Sequence, residues 1–395
     1  MSDLYKEKVI DINDDASRVA KDICFQSHQN CPAVKITALQ PNNFRGPVKY
    51  VWKNYILQSM KDGAMSETIE CDGAGNKPDF FTFIGTKKVF RNLGWEIIAM
   101  TVDDLAKTGR FPAIMVNQID VRITRKNFYL FKALMSGYGI ALKQAGLINI
   151  TGETAVMNRL TGFCDINSDE QLFLTWSGSC IGLAHRDLLI DGSKIKPDMP
   201  IVGFWEPGYR CNGGTFLANL IIEKFGPEIQ KIIKNPEAVE FARKLCAPSK
   251  SYAKTICRLI GWNSDASIGK PLARIAGIAH ITGGGIWNKF GEILPKGIGA
   301  NLHSMPKPAE VLLEAQELSW NANIRLTDKQ AYGTLHGGCG MLIVAEKEND
   351  AKIIIEQAEK DNIKSQVVGQ TTKSADSEVI IHSRFKEGKI LSSKQ

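Results

Sequence analysis

The chain has 395 residues, enough for two domains of ordinary size or one large α/β unit, and its 44% hydrophobic and 23% charged residues are the balance of a soluble globular fold. That excludes a disulfide-stapled miniprotein, a fibrous chain and a disordered one. The formal charge of +7, from 49 Lys and Arg against 42 Asp and Glu scattered along the chain, predicts mild attraction for anions such as phosphorylated metabolites and no nucleic-acid footprint.

Residues 1–45 read as an irregular, polar N-terminal arm with neither a secretory signal nor a transit peptide, so the expected location is cytoplasmic. A helix is expected over 47–60 and a strand over 68–71, which runs into the glycine turn Asp72-Gly73-Ala74-Gly75-Asn76-Lys77. Over 96–107, Ile98, Val102 and Leu105 fall at i, i+4 and i+7, an apolar helix stripe that Gly109 ends. A strand over 113–121, a long helix over 126–146 and a strand over 147–150 follow, then a turn at Thr151-Gly152-Glu153-Thr154. The alternation of Leu172, Leu174 and Trp176 predicts a long strand over 171–184, and the polar stretch 190–198, with Gly192 and Pro197, a linker. This divides the chain into an arm (1–45), a first domain (46–189) and a second (190–395).

The second half again mixes α and β elements, with a strand over 200–205, a glycine turn over 208–214, helices over 216–224 and 236–260, and a strand over 275–281 leading into Thr282-Gly283-Gly284-Gly285. A helix at 308–319, a strand at 341–346, a helix at 349–360 and a strand at 378–382 complete it. No run of about 18 apolar residues exists to cross a membrane. Nine cysteines, an odd number without a C-x-x-C pair, read as reduced thiols and not as a disulfide framework or zinc site.

The turns that close strands carry the chemistry. In the 72–77 turn a carboxylate suits a divalent metal, Gly73 and Gly75 let backbone N–H groups face an anion, and Lys77 adds a point charge; a plain hairpin turn suits the same residues. Asp103 and Asp104 point about 100° apart on their helix, so at most one need be functional, and a surface pairing of Asp103 with Lys107 is the bland alternative. Glu153 reads as a carboxylate in a tight turn, open to metal or solvent. Three glycines after Thr282 would bare N–H donors at the start of a helix, a phosphate cradle, with close strand-to-helix packing as the other reading.

Taken together, the order and spacing of these blocks resemble the aminoimidazole ribonucleotide (AIR) synthase, or phosphoribosylformylglycinamidine cyclo-ligase, family along nearly the whole chain. Tyr5-Lys6 with 9–12 is similar to Y-K-x-x-G-V-D-I, 72–77 to D-G-V-G-T-K, 100–105 to M-C-V-N-D-L, and 152–157 to G-E-T-A-E-M. Ile190–Ser193 is similar to I-D-G-S, Ala247-Pro248-Ser249 with Tyr252 to A-P-T-x-x-Y, 279–285 to A-H-L-T-G-G-G, and 332–341 to Y-R-T-F-N-C-G-V-G-M.

The resemblance implies an α+β, two-domain AIR-synthase-like fold, in which an N-terminal β-sheet or half-barrel with helices dimerises and a C-terminal α/β sandwich follows. It implies ATP and Mg²⁺ as cofactors, a ribonucleotide phosphate as small-molecule substrate, a homodimer, and no nucleic-acid or membrane partner. Asp72, Asp104 and Glu153 would hold the metal and, with Lys77, form the catalytic set. Gly73, Gly75, Asn76, Gly152 and Thr154 would bind ATP phosphates, and Arg210, Asn212, Gly213, Thr282, Gly283, Gly284 and Gly285 the substrate. The family's reaction phosphorylates a formamide oxygen with ATP before an amidine nitrogen closes the imidazole ring.

Several positions depart from the pattern. Asn42-Asn43-Phe44-Arg45-Gly46 replaces a G-G-F-G loop, Val156 stands where the family has a second glutamate, Arg210-Cys211 replaces His-Ser, and His336-Gly337 replaces Asn-Cys. These leave room for an ATP-dependent kinase or activating enzyme of the same superfamily with another acceptor, or for a dimeric nucleotide-binding protein that has lost catalysis.

Overall fold

The computed structural model describes residues 3–37, 49–157, 170–322 and 324–394, with the backbone alone for 3–11 and 229. The 42–46 segment and Cys164 lie outside the described residues, as do the side chains of Tyr5 and Lys6. The first half runs α1 (Asp3–Ser27), β1 (Val34–Thr37), β2 (Lys49–Trp52), α2 (Asn54–Lys61), β3 (Met65–Gly73), α3 (Lys77–Ile84), α4 (Lys87–Leu93), α5 (Glu96–Ala106), β4 (Phe111–Arg122), α6 (Phe128–Ala145), β5 (Ile148–Val156) and β6 (Phe173–His185).

The second half continues β7 (Pro200–Trp205), α7 (Gly214–Phe225), α8 (Ile229–Ile232), α9 (Pro236–Leu245), α10 (Ala253–Ile260), β8 (Ile275–His280), α11 (Gly285–Gly291) and β9 (Ile298–Leu302). It ends with α12 (Glu310–Trp320), α13 (Asp328–Thr334), β10 (Cys339–Ala345), α14 (Glu348–Lys360), β11 (Ser365–Lys373), β12 (Val379–His382) and β13 (Ile390–Ser392). No helix among the described residues is long and apolar enough to cross a membrane.

β3, β6, β4 and β5 form a four-stranded sheet in that order, with β4 and β5 parallel and the other neighbours antiparallel. Along β3, period-2 alternation turns Thr68, Glu70 and Asp72 toward α5 and leaves Glu67, Ile69 and Cys71 exposed on the other side. The exposed residues of β6, Thr175 and Ser177, continue that uncovered face. The second sheet has seven strands, ordered β13-β12-β9-β11-β7-β10-β8, antiparallel except for β12 beside β9. β7, β8 and β10 are buried almost throughout, which is why they read as continuous apolar runs.

Three expectations need correction. The N-terminal stretch is not irregular, because 3–27 is helical and Ile12, Ala16, Val19, Ala20 and Ile23 form a stripe that packs on α6 and β5. Within 47–60, the aromatic and β-branched run Tyr50-Val51-Trp52 pairs with β1 as a strand, and the helix starts only at Asn54. The strand expected over 147–150 runs on through 156, so Gly152, Glu153 and Thr154 lie inside β5 and not in a turn.

Candidate functional site

The two halves meet on three buried polar ties, of which the Arg210–Asp103 contact is an ion pair between them. At the first, the fully buried Lys77 Nζ sits 2.9 Å from Glu96 Oε1 and donates to Tyr209 O at 2.5 Å and Ala247 O at 2.7 Å. Glu96 in turn accepts from Ser249 N at 2.9 Å and Ser249 Oγ at 2.6 Å. The two charges compensate each other within the first half and are hydrogen-bonded across the junction, the condition for burying them at all.

The second tie centres on Arg210, also buried. Its Nη1 lies 2.5 Å from Glu206 Oε2 and donates to Lys250 O at 2.8 Å; its Nη2 lies 3.3 Å from Asp103 Oδ2. The other Asp103 oxygen accepts from Tyr252 N and Ala253 N, both at 2.8 Å, and from Ser251 Oγ at 3.1 Å. Asp103, on α5 of the first half, is thus held by the 251–253 backbone of the second.

The third tie reaches the surface of the junction. His280, at the end of β8, sets Nε2 2.8 Å from Arg210 Nη2 and Nδ1 2.9 Å from Asp104 Oδ1. Arginine can only donate, so Nε2 accepts and the ring proton sits on Nδ1, pointed at Asp104. Burial pushes the His280 pKa down to about 4, against the raising hydrogen bond of Asp104. Burial acts to raise the Asp104 carboxyl as well, but His280 and Lys107, whose Nζ is 2.6 Å away, hold it well below the ordinary carboxylate range.

Beside Asp104 stands Asp72, whose Oδ1 accepts from the Gly73 N–H at 2.7 Å. Partial burial raises its pKa and the neighbouring Asp104 charge raises it further. Two carboxylates on strand and helix ends, both in contact with solvent, therefore lie within reach of each other's charge at the mouth of the junction.

Glycine turns from both halves close around this point. Gly75 has φ +54°, and a Cβ there would stand 2.8 Å from Cys211 O, so the 72–77 turn is docked backbone to backbone on the 208–214 turn. Gly285, with φ +61°, would drive a Cβ to 2.0 Å from Tyr332 O. Gly283 by contrast is exposed, with only Asn212 Nδ2 within reach at 3.7 Å, and Asn212 Oδ1 is a buried acceptor without a partner among the described residues.

The structure brings Asp72, Asp104 and the 72–77, 208–214 and 282–285 turns together. It does not bring Glu153 to them. Glu153 is exposed in register with Gln118, Ser177 and Gly73, on the sheet face opposite Asp72, three strand spacings or roughly 14 Å across. Gly152 and Thr154 share its strand. Among the described residues no three His, Cys, Asp or Glu stand together as a metal-binding group, so Asp72, Asp104 and Glu153 are not one ligand set within the subunit.

Lys77 and Arg210, read as charges facing a ligand, are instead enclosed and ion-paired, with Arg210 Nε left without a partner among the described residues. The expected pairing of Asp103 with Lys107 is corrected too: Lys107 pairs with Asp104, and Asp103 faces inward to Arg210. Sequence reasoning missed Glu96, Glu206 and His280. The first sits in the apolar stretch Trp95 to Ile98 and the second closes the apolar run 200–205, and a lone acid in or against such a run is the available signal of a buried pair.

Two family descriptions match the chain: "AIR synthase related protein, N-terminal domain" over 56–184 and "AIR synthase related protein, C-terminal domain" over 265–382. The chain is 27% identical over 305 residues to a phosphoribosylformylglycinamidine cyclo-ligase of Bacillus thuringiensis subsp. konkukian, covering 77% of this chain and 80% of that protein. It is 30% identical over 220 residues to the enzyme of that name from Pyrococcus horikoshii, covering 56% and 57%. Among solved structures, the hydrogenase maturation protein HypE in complex with ATP shares the fold, with TM-score 0.51 at 16% identity over 86% of this chain and 89% of that one.

Proposed function

We propose, because this chain belongs to the family of AIR synthase related proteins, that it is an ATP-dependent ligase that closes the imidazole ring of aminoimidazole ribonucleotide from formylglycinamidine ribonucleotide. The observation that carries this reading is the Asp72–Asp104 carboxylate pair at the mouth of the domain junction, tied through His280 to the strand that opens the 282–285 turn. The names of the relatives from Bacillus thuringiensis and Pyrococcus horikoshii supply the reaction class.

In this reading ATP phosphorylates the formamide oxygen, the amidine nitrogen attacks the activated carbon, and phosphate leaves. Such transfer needs positioning and charge neutralisation more than covalent help. Asp72 and Asp104 fit Mg²⁺, since hard carboxylate oxygens in a pair suit an ion that keeps its remaining positions for phosphate and water, and Asp72 accepts one hydrogen bond among the described residues. Once bound, the ion would neutralise charge on the phosphate oxygens. Asp104 stays ionised through His280 and Lys107, and Lys107 places a cation beside the carboxylate pair.

Gly73 and Asn76 would face ATP from the 72–77 turn. Thr282, Gly283 and Gly284 would offer backbone N–H groups to the substrate phosphate, Gly285 would shape the turn with its own N–H spent on Thr282 O, and Asn212 Oδ1, with Gly213 next to it, would accept a hydrogen from the substrate. Lys77 and Arg210 act as positioning residues that fix the turns. Gly152, Glu153 and Thr154 belong to the strand whose outer face is uncovered; we assign that face to the homodimer contact, and Glu153 to its rim.

One observation favours a second reading, a kinase or activating enzyme of the same superfamily with another acceptor. Arg210, the side chain expected to meet the ribonucleotide phosphate, is already held by Glu206, Asp103 and His280. Complementation of a purine auxotroph lacking the cyclo-ligase separates the two. Growth restored by the wild-type gene, and lost with Asp72→Asn, is the result the ring-closure reading requires; no growth despite ATP hydrolysis by the purified protein favours another acceptor.

A further inference from the structure

On the far side of α5 from the carboxylate pair, a cavity of about 540 Å³ opens between the two halves, within the size range of small-molecule sites. The first half contributes Trp95 and the end of α6 at Gln144; the second contributes the 248–255 segment and the end of α14. Its charge is one-sided. Lys250, Lys254 and Lys360 line it, and none has an ion-pair partner among the described residues. The one acid in the lining, Asp361, is already taken by Arg258 at 2.7 Å and by the Thr255 hydroxyl.

The lining is also committed on its other side. Lys250 spends its backbone N–H on Glu206 and its carbonyl on Arg210, so its ammonium is the group left for the cavity. Ser249 and Ser251, neighbours in the wall, spend their hydroxyls on Glu96 and Asp103. The 248–253 segment therefore has the cavity on one side and the buried ties of the candidate site on the other. Trp95 adds a half-buried indole, a flat surface on which an aromatic ring can stack.

We propose that this cavity is a second ligand site, which takes an organic phosphate of mononucleotide size, its ring on Trp95 and its phosphate among Lys250, Lys254 and Lys360. Such a ligand spans both halves and holds the 248–253 segment against α5, and so reports to the candidate site through Glu96 and Asp103. The proposal stands independently of the reaction assigned above, because none of these lysines touches Asp72, Asp104 or the 282–285 turn.

The test is a tryptophan-fluorescence titration of the full chain with AMP, run in parallel with adenosine. Saturable quenching by AMP and not by adenosine is expected. Trp95→Phe should abolish the quench, which separates this site from AMP bound elsewhere, and the double variant Lys254→Ala, Lys360→Ala should raise the half-saturating concentration at least tenfold. The two lysines are exposed, so that variant keeps its fold and the test stands even if the Trp95 variant does not. Absence of saturable quenching, equal response to adenosine, a quench that survives Trp95→Phe, or an unchanged midpoint in the lysine variant would each overturn the proposal.

Discussion

Lys77 and Glu96 are fully buried charges whose worth depends on each other. Lys77→Met leaves Glu96 enclosed without its cation, and a denaturant titration should show a loss of about 3–5 kcal/mol. Adding Glu96→Gln should return most of that stability, because removing both charges relieves the desolvation that removing one exposes. A lysine that served only to contact a ligand would show neither effect.

His336 is a second buried group whose state can be read in solution. Its Nε2 donates to Gly208 O at 2.7 Å and its Nδ1 accepts from Gly338 N at 3.2 Å, so the neutral ring is satisfied and burial lowers its pKa to about 3. The folded value lies below the unfolded value of 6.5, so the unfolded chain binds the extra proton and stability falls as pH drops through that window. Between pH 6.5 and about pH 4.5 this residue alone accounts for roughly 2 kcal/mol. His280 adds a loss of the same sign. Thermal melts of His336→Gln across that range should therefore show a flatter pH dependence than the wild type.

Among the elements, the docking of one turn on another depends on Gly75. An alanine there must adopt a left-handed backbone and push a methyl against Cys211 O. Gly63 has a similar φ of +69° with nothing nearby, so it isolates the backbone cost of about 1–2 kcal/mol. Gly75→Ala should cost more than Gly63→Ala by the overpacking penalty of about 1–3 kcal/mol, measured as the difference in unfolding free energy. Equal losses would mean that the two turns are not held in contact.

Most elements were legible in the sequence, because period and punctuation act locally. The α5 stripe, the long α6 and the apolar strands β7, β8 and β10 all announce themselves. The misses have a common cause. Whether Tyr50 to Trp52 is a strand depends on β1 being alongside, and whether Gly152 to Thr154 is a turn depends on β4 continuing to offer partners through Val121. The site was half legible for the same reason. Asp72 and Asp104 lie at element ends where a carboxylate stands out, whereas the bonds of Lys77 and Glu96 to the 209–249 segment and the pairing of Arg210 with Asp103 link the two halves, and no local pattern reports them.

For the molecule taken entire, the uncovered face of the four-stranded sheet is the feature that most needs a partner. Ile69 is 62% exposed midway along its edge strand β3, near Cys71 and across from the exposed side of β6. A homodimer joined through that face predicts a sedimentation mass of two chains for the wild type and one for Ile69→Glu, with an unchanged far-ultraviolet spectrum. The two halves of the chain are meanwhile joined by the buried Arg210–Asp103 pair and the His280–Asp104 hydrogen bond, so the carboxylate pair and the 282–285 turn are set before any ligand arrives.

Activation of formylglycinamidine ribonucleotide by ATP at the Asp72–Asp104 pair is the step on which the proposed function turns. It is read as ADP release by the purified full-length protein with Mg²⁺ and ATP, with and without that ribonucleotide. ADP and aminoimidazole ribonucleotide should form in equal amounts, and only when the ribonucleotide is present. Asp72→Asn should lose at least a hundredfold in rate with the fold retained, on the order of 3 kcal/mol of transition-state stabilisation. ADP release indifferent to the ribonucleotide, or a wild-type rate in Asp72→Asn, would refute the assignment.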